Sequence, residues 1–151
     1  GPKGTREVAA GDFFLDYMTT DLEEDELLTA IILPPVPDRS RGHYEKFSRV
    51  EGDYATASVA VTLSLDQDAA VDCLRIVVGA SGATPVRVPN AEKYLQENGL
   101  GKDVVVKAAE QILSECDLLD DVRGSSDYRR LLIPGLIQKA ISTVNGSRAE
   151  S

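Results

Sequence analysis

The sequence has no tryptophan, one histidine, two cysteines and no apolar run of the length that spans a bilayer. With His43 as the sole histidine, Ser-His-Asp, Cys-His and multi-histidine metal sites are excluded as units contained in this chain, and we interpret His43 as a strand residue. Membrane spans need roughly 18 apolar residues, so no membrane association is predicted, and no signal-peptide h-region precedes residue 20. Cys73 and Cys116 have no CxxC partner, which favours reduced thiols in a cytoplasmic protein; a disulfide between them stays open.

Basic residues are also scarce: the sequence contains 16 Lys and Arg and 25 Asp and Glu, which gives a net charge of -9. Binding to a phosphate backbone depends on clustered cations, so we expect no nucleic-acid partner. No GxGxxG or P-loop segment occurs, and the stretch 79–82 lacks the spacing of a nucleophile elbow. The length of 151 residues fits one domain with a core and an additional arm.

The stretch 44–65 predicts two extended segments joined by a charged turn. The turn is Arg49–Asp53, which contains a glycine. In the second segment apolar and small polar residues alternate strictly, which is typical of a half-buried antiparallel strand. The predicted core-facing set is Ala55, Ala57, Val59, Val61, Leu63 and Leu65.

Downstream, the pattern predicts one further strand and three helices. Val71–Val78 is expected to pair through a short hairpin with the strand before it. One helix should run from Pro89 to Asn98, and Asp103 should cap a second. A third helix should open near Ser125, with Pro134 kinking or dividing it. Strands followed by helices indicate an α+β fold, a two-layer sandwich in which helices cover one face of three antiparallel strands.

The N-terminal residues 1–36 are predicted to form an arm separate from a domain over 37–145, with a disordered tail at 146–151. Within the arm, the β-branched, apolar stretch 27–33 suggests a strand, and the acidic run 20–26 is interpreted as a solvated turn. Three prolines between residues 34 and 37 end regular structure and mark the boundary.

Two groups of charged residues are candidate sites. Asp117, Asp120 and Asp121 could hold a hard cation, but their spacing is not that of an EF-hand, and we favour a solvated or Arg-paired loop. The second group is the turn from Lys46 to Tyr54, where cations, acids and an aromatic meet at the end of the sheet. Such a set suits an anionic or polar ring system such as a flavin; a purely structural turn is the alternative.

Three stretches of the chain resemble one protein family: Gly4–Phe14 with Glu26–Leu28 and Pro34, then Tyr44–Arg49 with Gly52–Ala55, and last Asp121–Arg130. They look like the C-terminal half of the flavin-binding medium subunit of the molybdenum hydroxylases, the group of xanthine dehydrogenase and aerobic carbon monoxide dehydrogenase. The resemblance extends over nearly the whole chain.

The resemblance implies an oxidoreductase subunit that takes part in electron transfer. In that family, substrate is oxidised at a molybdenum cofactor on a large subunit. Electrons pass through two [2Fe-2S] clusters on an iron–sulfur small subunit to FAD on the medium subunit. Residues from about Tyr44 onward resemble the C-terminal domain, which implies an antiparallel sheet of three to four strands backed by three helices. Residues 4–33 resemble the last part of the FAD-binding domain.

The resemblance also implies a set of cofactor-binding residues. Leu28 matches an apolar residue that packs near the isoalloxazine, and Lys46 matches a lysine close to the polar edge of the flavin. Arg49, Asp53 and Tyr54 fall on the loop that borders the flavin pocket. No catalytic residue and no metal ligand is expected in this chain.

The chain departs from the family in lacking the Gly-rich segments that cradle the FAD diphosphate. We therefore expect a fragment of a longer subunit, weak or absent FAD binding by the isolated chain, no activity on its own, and an N-terminal FAD-binding half as a partner. The alternative function is a cofactor-free docking module of the same fold.

Overall fold

A computed structural model describes residues 1–146 of the chain. The chain forms two compact units, of which one ends at Val36 and the second begins at Pro37. The six residues of the predicted tail fall largely outside the described part, because only Gly146 is described, as the last residue of a helix. No helix in residues 1–146 is both long and apolar enough to cross a bilayer.

The first unit contains little regular structure. Its elements are α1 (Ala10–Phe13), β1 (Phe14–Asp16) and β2 (Thr19–Thr20). Arg6 holds the acidic run together, since Nε and Nη2 donate to the Glu26 carboxylate at 2.7 Å each and Nη1 donates to Asp21 at 2.5 Å. The Arg6 bonds, followed by one from the Glu23 amide, lower the pKa of Glu26 to about 2. The run is therefore an Arg-paired turn as well as a solvated one.

The prediction of a strand over 27–33 is wrong. These residues carry no regular structure, and Leu27, Ile31 and Leu33 are about four-fifths exposed, at 82%, 78% and 81%. A β-strand needs a neighbour to pair its backbone N–H and C=O groups, and no described residue pairs with this stretch. The apolar pattern alone does not supply that neighbour.

The second unit begins with an antiparallel sheet. Its strands, in spatial order, are β3 (Ser40–Phe47), β4 (Ala57–Leu65), β5 (Val71–Gly79) and β6 (Val86–Arg87). The three longer strands confirm the prediction, while the two-residue β6 was not foreseen individually. The predicted core-facing residues Ala57, Val59, Val61 and Leu63 are at most 2% exposed, as expected. The opposite face of β4 is less open than predicted, because Ser58 and Ser64 are also buried, at 6% and 1%.

Three helices follow, as predicted, and cover one face of the sheet: α2 (Pro89–Asn98), α3 (Lys102–Ser114) and α4 (Ser126–Gly146). Helix α2 packs on β5, and α4 packs on β3 and β4. The core joins the sheet residues to helix residues such as Leu95, Ile112 and Ile137, each at most 1% exposed. The α+β, two-layer fold is confirmed.

Two details of the helices differ from the prediction. Asp103 lies in the first turn of α3, and the N-cap position is Gly101, so Asp103 is not the cap. Pro134 lies inside α4 but does not divide it. A proline removes one helical hydrogen bond, and the fully buried Ile133 and Ile137 on either side keep the helix on the sheet.

Side chains of α2 form hydrogen bonds with the edge of β5 that lies away from β4. Strand β6 pairs only with Val77 and Val78. Beyond it, the buried Glu92 carboxylate accepts from the Ile76 amide at 2.9 Å and from Arg87 at 2.8 and 2.7 Å. The Gln96 amide donates to the Asp72 carbonyl at 3.2 Å. A helix thereby satisfies edge-strand groups that a longer β6 would otherwise pair.

Candidate functional site

The charged turn predicted as a site connects β3 to β4 at one end of the sheet. The Thr56 amide donates to the Phe47 carbonyl at 2.8 Å and closes the turn. Inside it, the Ser48 hydroxyl donates to the Val50 carbonyl at 3.0 Å, and Gly52 takes a φ of 86°. That backbone conformation favours glycine, so the glycine in the charged stretch is needed for the shape of the turn.

Lys46 reaches across this turn from the exposed face of β3. Its Nζ donates to the Asp53 carbonyl at 2.9 Å, and the side chain remains open to solvent. Arg49 is exposed on the same turn. The ammonium is thus held at the end of the sheet and is not buried against the helices, which leaves it accessible to an anionic ligand.

Asp53 and Tyr54 occupy the last part of the turn. Asp53 is half-buried, and its Oδ1 accepts from the Tyr54 amide at 2.7 Å. The Tyr54 side chain is 77% exposed, and the Arg123 guanidinium lies over its ring, with Cζ 4.9 Å from the centroid. The turn therefore presents a cation and an aromatic ring on an open surface.

Arg129 is the residue that joins this turn to the rest of the unit. The residue is 1% exposed, and its Nε donates to the Thr56 carbonyl at 2.9 Å. Nη1 donates to the carbonyls of Leu119 and Gly124, and Nη2 donates to Asp121 Oδ1 at 2.7 Å. One buried guanidinium thus fixes the end of the turn, the loop 119–124 and the start of α4.

The loop 119–124 confirms the Arg-paired interpretation of its acidic residues. Burial opposes ionisation of Asp121, but the hydrogen bond from Arg129 and those from the Arg123 and Gly124 amides outweigh it, so its pKa lies below the ordinary value. Asp120 Oδ1 accepts from the Ser126 amide at 2.6 Å. Within residues 1–146 no group of three or more potential ligands is arranged to hold a metal ion.

Sequence reasoning did not identify Arg123 and Arg129 as parts of the site. Both lie in the stretch 121–130 that carries the family resemblance, which was the available signal. An arginine at the start of a helix is expected to be solvent-exposed, and the residues next to Arg129 in the sequence do not indicate that it is buried.

Leu28 belongs to the first unit. Its side chain is 57% exposed in the irregular stretch after the Arg6-paired turn. The four other predicted residues all lie on or beside the turn between β3 and β4. The role of each of the five residues toward a flavin stays a prediction.

Ligand chemistry is also present in one histidine and two cysteines. His43 is a residue of β3, as interpreted, and its Nε2 lies 3.1 Å from Glu45 Oε2. Cys73 and Cys116 are free thiols. A cavity of about 530 Å³ lies at the opposite end of β4, lined in part by Leu65, Leu100 and Asn145, and none of the five predicted residues lines it.

A family model, known sequences and solved structures all identify the same protein family. The family model described as the CO dehydrogenase flavoprotein C-terminal domain matches residues 42–144. The nicotine 6-hydroxylase medium subunit of Paenarthrobacter nicotinovorans is 34% identical over 139 residues, covering 92% of this chain and 48% of that subunit. The xanthine dehydrogenase FAD-binding subunit of Escherichia coli O157:H7 is 29% identical over 143 residues, covering 93% and 49%.

Among solved structures, reconstituted CO dehydrogenase from Oligotropha carboxidovorans matches with a TM-score of 0.90 at 32% identity. The match covers 97% of this chain and 51% of that chain. This chain accordingly spans about half the length of the relatives it matches.

Proposed function

Because this chain belongs to the CO dehydrogenase flavoprotein C-terminal domain family, we propose that it is the C-terminal part of the flavin subunit of a molybdenum hydroxylase-type oxidoreductase. Its role would be to form one wall of an FAD site and to contact neighbouring subunits. The observation that carries the proposal is the open surface at the end of the sheet, where Lys46 and Tyr54 are both exposed.

The residues present fit the ring of a flavin. Lys46 supplies an accessible ammonium, and Tyr54 supplies an exposed aromatic face. A fixed positive charge favours negative charge on a neighbouring ring, and aromatic faces stack on planar heterocycles. When bound, FAD supplies the electron carrier between [2Fe-2S] clusters and an acceptor.

The residues present do not fit the diphosphate of FAD. A dianionic pyrophosphate requires a row of backbone N–H donors, and the sequence has no Gly-rich segment of that kind. We propose that an N-terminal FAD-binding half holds the phosphates, and that this chain alone is inactive and binds FAD weakly or not at all. An iron–sulfur small subunit, a molybdenum-containing large subunit and a cytoplasmic location complete the proposal.

One observation favours a second candidate, a cofactor-free docking module. The first unit exposes Leu27, Ile31, Ile32, Leu33 and Val36, each by at least 68%. Exposed apolar stretches of this kind are typical of protein contact sites. In that case the turn between β3 and β4 would have no ligand.

The test is a titration of the isotopically labelled chain with FAD up to millimolar concentration, followed by NMR amide shifts. We expect shifts at residues 46, 53 and 54 that grow with FAD concentration and do not saturate, with a dissociation constant on the order of 1 mM, because only the ring is contacted. Lys46→Ala should weaken binding several-fold, whereas Lys102→Ala, an exposed lysine at the start of α3, should not. Equal binding by Lys46→Ala would contradict the proposal, and no shift around the turn even with an N-terminal FAD-binding half added would favour the docking module.

A further inference from the structure

The contact between Arg123 and Tyr54 has no role in the function proposed above. Tyr54 is 77% exposed, so little packing holds its ring in one orientation. The Arg123 guanidinium lies over one face, at 4.9 Å from Cζ to the centroid. A guanidinium within about 6 Å of an aromatic centroid attracts the ring electrostatically. Arg123 is therefore placed to set where the Tyr54 ring points.

Hydrogen bonds to its backbone hold Arg123 in place. Its backbone N–H donates to Asp121 Oδ1 at 2.8 Å, and its carbonyl accepts from the Thr56 hydroxyl at 3.3 Å. The side chain is 31% exposed, with Nη1 3.9 Å from Asp121 Oδ2. Its Nε is buried and has no hydrogen-bond partner among the described residues. The ring of Tyr54 is thus a main partner of a guanidinium that the loop fixes in place.

The pair leaves one face of the tyrosine ring available. Arg123 covers one face, and the high exposure of Tyr54 means that the other is not packed against the protein. A ring already held in one orientation loses less conformational entropy when a ligand stacks on it. The arrangement suits a planar, electron-poor heteroaromatic ring.

We propose that Arg123 is a positioning residue of the flavin site, which holds the Tyr54 ring so that its free face stacks on the isoalloxazine. The proposal rests on the function proposed above. Arg123 acts through Tyr54 and not by direct contact with the flavin. Replacing Arg123 should therefore weaken flavin binding only when residue 54 is aromatic.

The experiment uses the full chain and FMN, which carries the isoalloxazine ring without the adenosine part, with NMR amide shifts as the readout. Arg123→Met should weaken FMN binding about threefold, because an exposed cation–π contact has about that effect. Arg123→Lys keeps the charge and should retain part of the affinity, and Tyr54→Phe should bind as the wild type does. Arg130→Met, an exposed arginine of α4, is the matched control and should have no effect.

A double-mutant cycle separates positioning from a general loss of structure. In a Tyr54→Leu background, Arg123→Met should cause no further loss of affinity, and the amide shifts of β4 core residues should be unchanged in every variant. The positioning role is overturned if Arg123→Met binds FMN like the wild type, or if its effect persists without the ring, while Lys46 still responds to FMN. A wild-type chain with no response at Lys46 or Tyr54, also when an N-terminal FAD-binding half is supplied, would instead overturn the proposed function, and this inference with it.

Discussion

The buried guanidinium of Arg129 and the carboxylate of Asp121 are joined by a hydrogen bond of 2.7 Å, although the arginine side chain is 2% exposed and the aspartate 40%. The pair connects the start of α4 to the loop that carries Arg123. The same guanidinium reaches the Thr56 carbonyl at the end of the turn between β3 and β4. The geometry of the candidate site thus depends on a residue that does not belong to its surface.

Arg129→Met should destabilise the second unit by about 3 kcal/mol, because three carbonyl groups and one carboxylate lose their donor in a largely buried position. Urea denaturation measures the free energy of unfolding. Arg130→Met, on the exposed side of the same helix, should change it by less than about 0.5 kcal/mol. Equal stability of the two variants would show that Arg129 does not fix the loop.

The unfolding free energy of the second unit should fall as the pH drops below the ordinary carboxyl range. The hydrogen bond from Lys139 and, next, the contact with His43 hold the pKa of Glu45 below its usual 4.5. A carboxylate with a lowered folded-state pKa stabilises the fold above the unfolded-state pKa, and this contribution is lost as the pH falls through the folded-state value. Urea unfolding between pH 7 and pH 3 measures the slope. Glu45→Gln should reduce the slope, and Lys139→Met should add little to that variant; an unaltered slope in Glu45→Gln would contradict the assignment.

Glu92→Gln should destabilise the protein by about 2 kcal/mol, because a carboxamide keeps one neutral acceptor oxygen for the Ile76 N–H and Arg87 Nε and places a donor against Arg87 Nη2 in a buried position. Hydrogen exchange of the Ile76 amide should accelerate in parallel. Glu97→Gln is the matched control on α2, because Glu97 forms a surface ion pair with Lys93 at 3.7 Å. If exchange at Ile76 is the same in both variants, Glu92 does not protect the edge of β5.

Two glycine substitutions should change the free energy of unfolding in opposite directions. A Cβ at Gly82 would lie 2.6 Å from the Asp117 carbonyl oxygen, so Gly82→Ala should destabilise by about 1–3 kcal/mol through backbone displacement. A Cβ at Gly135, inside α4, would meet nothing within 4 Å, so Gly135→Ala should stabilise by about 0.5–1 kcal/mol. Thermal unfolding of both variants tests the pair, and a stabilising Gly82→Ala would show that the close approach to residue 117 is absent.

Local pattern was sufficient for much of the fold. The alternation in β4 predicted its buried face, and Pro89 and Gly99 predicted both ends of α2, because burial on a sheet repeats every second residue and helix ends have fixed chemical preferences. The stretch 27–33 has the composition of a strand but forms none among the described residues, since pairing depends on a second segment. Asp103 has the chemistry of a cap, yet Gly101 holds that position.

The sequence by itself determined the strand and helix periods, the net negative charge and the gathering of Lys46, Asp53 and Tyr54 on one turn. Only the tertiary structure decided that Arg129 bonds to Thr56, 73 positions away, and that Arg123 covers the Tyr54 ring. Periodicity reports which side of an element is buried, and it is a property of neighbouring residues. The partner of a buried guanidinium depends on which distant segments meet, and that is fixed when the helices close over the sheet.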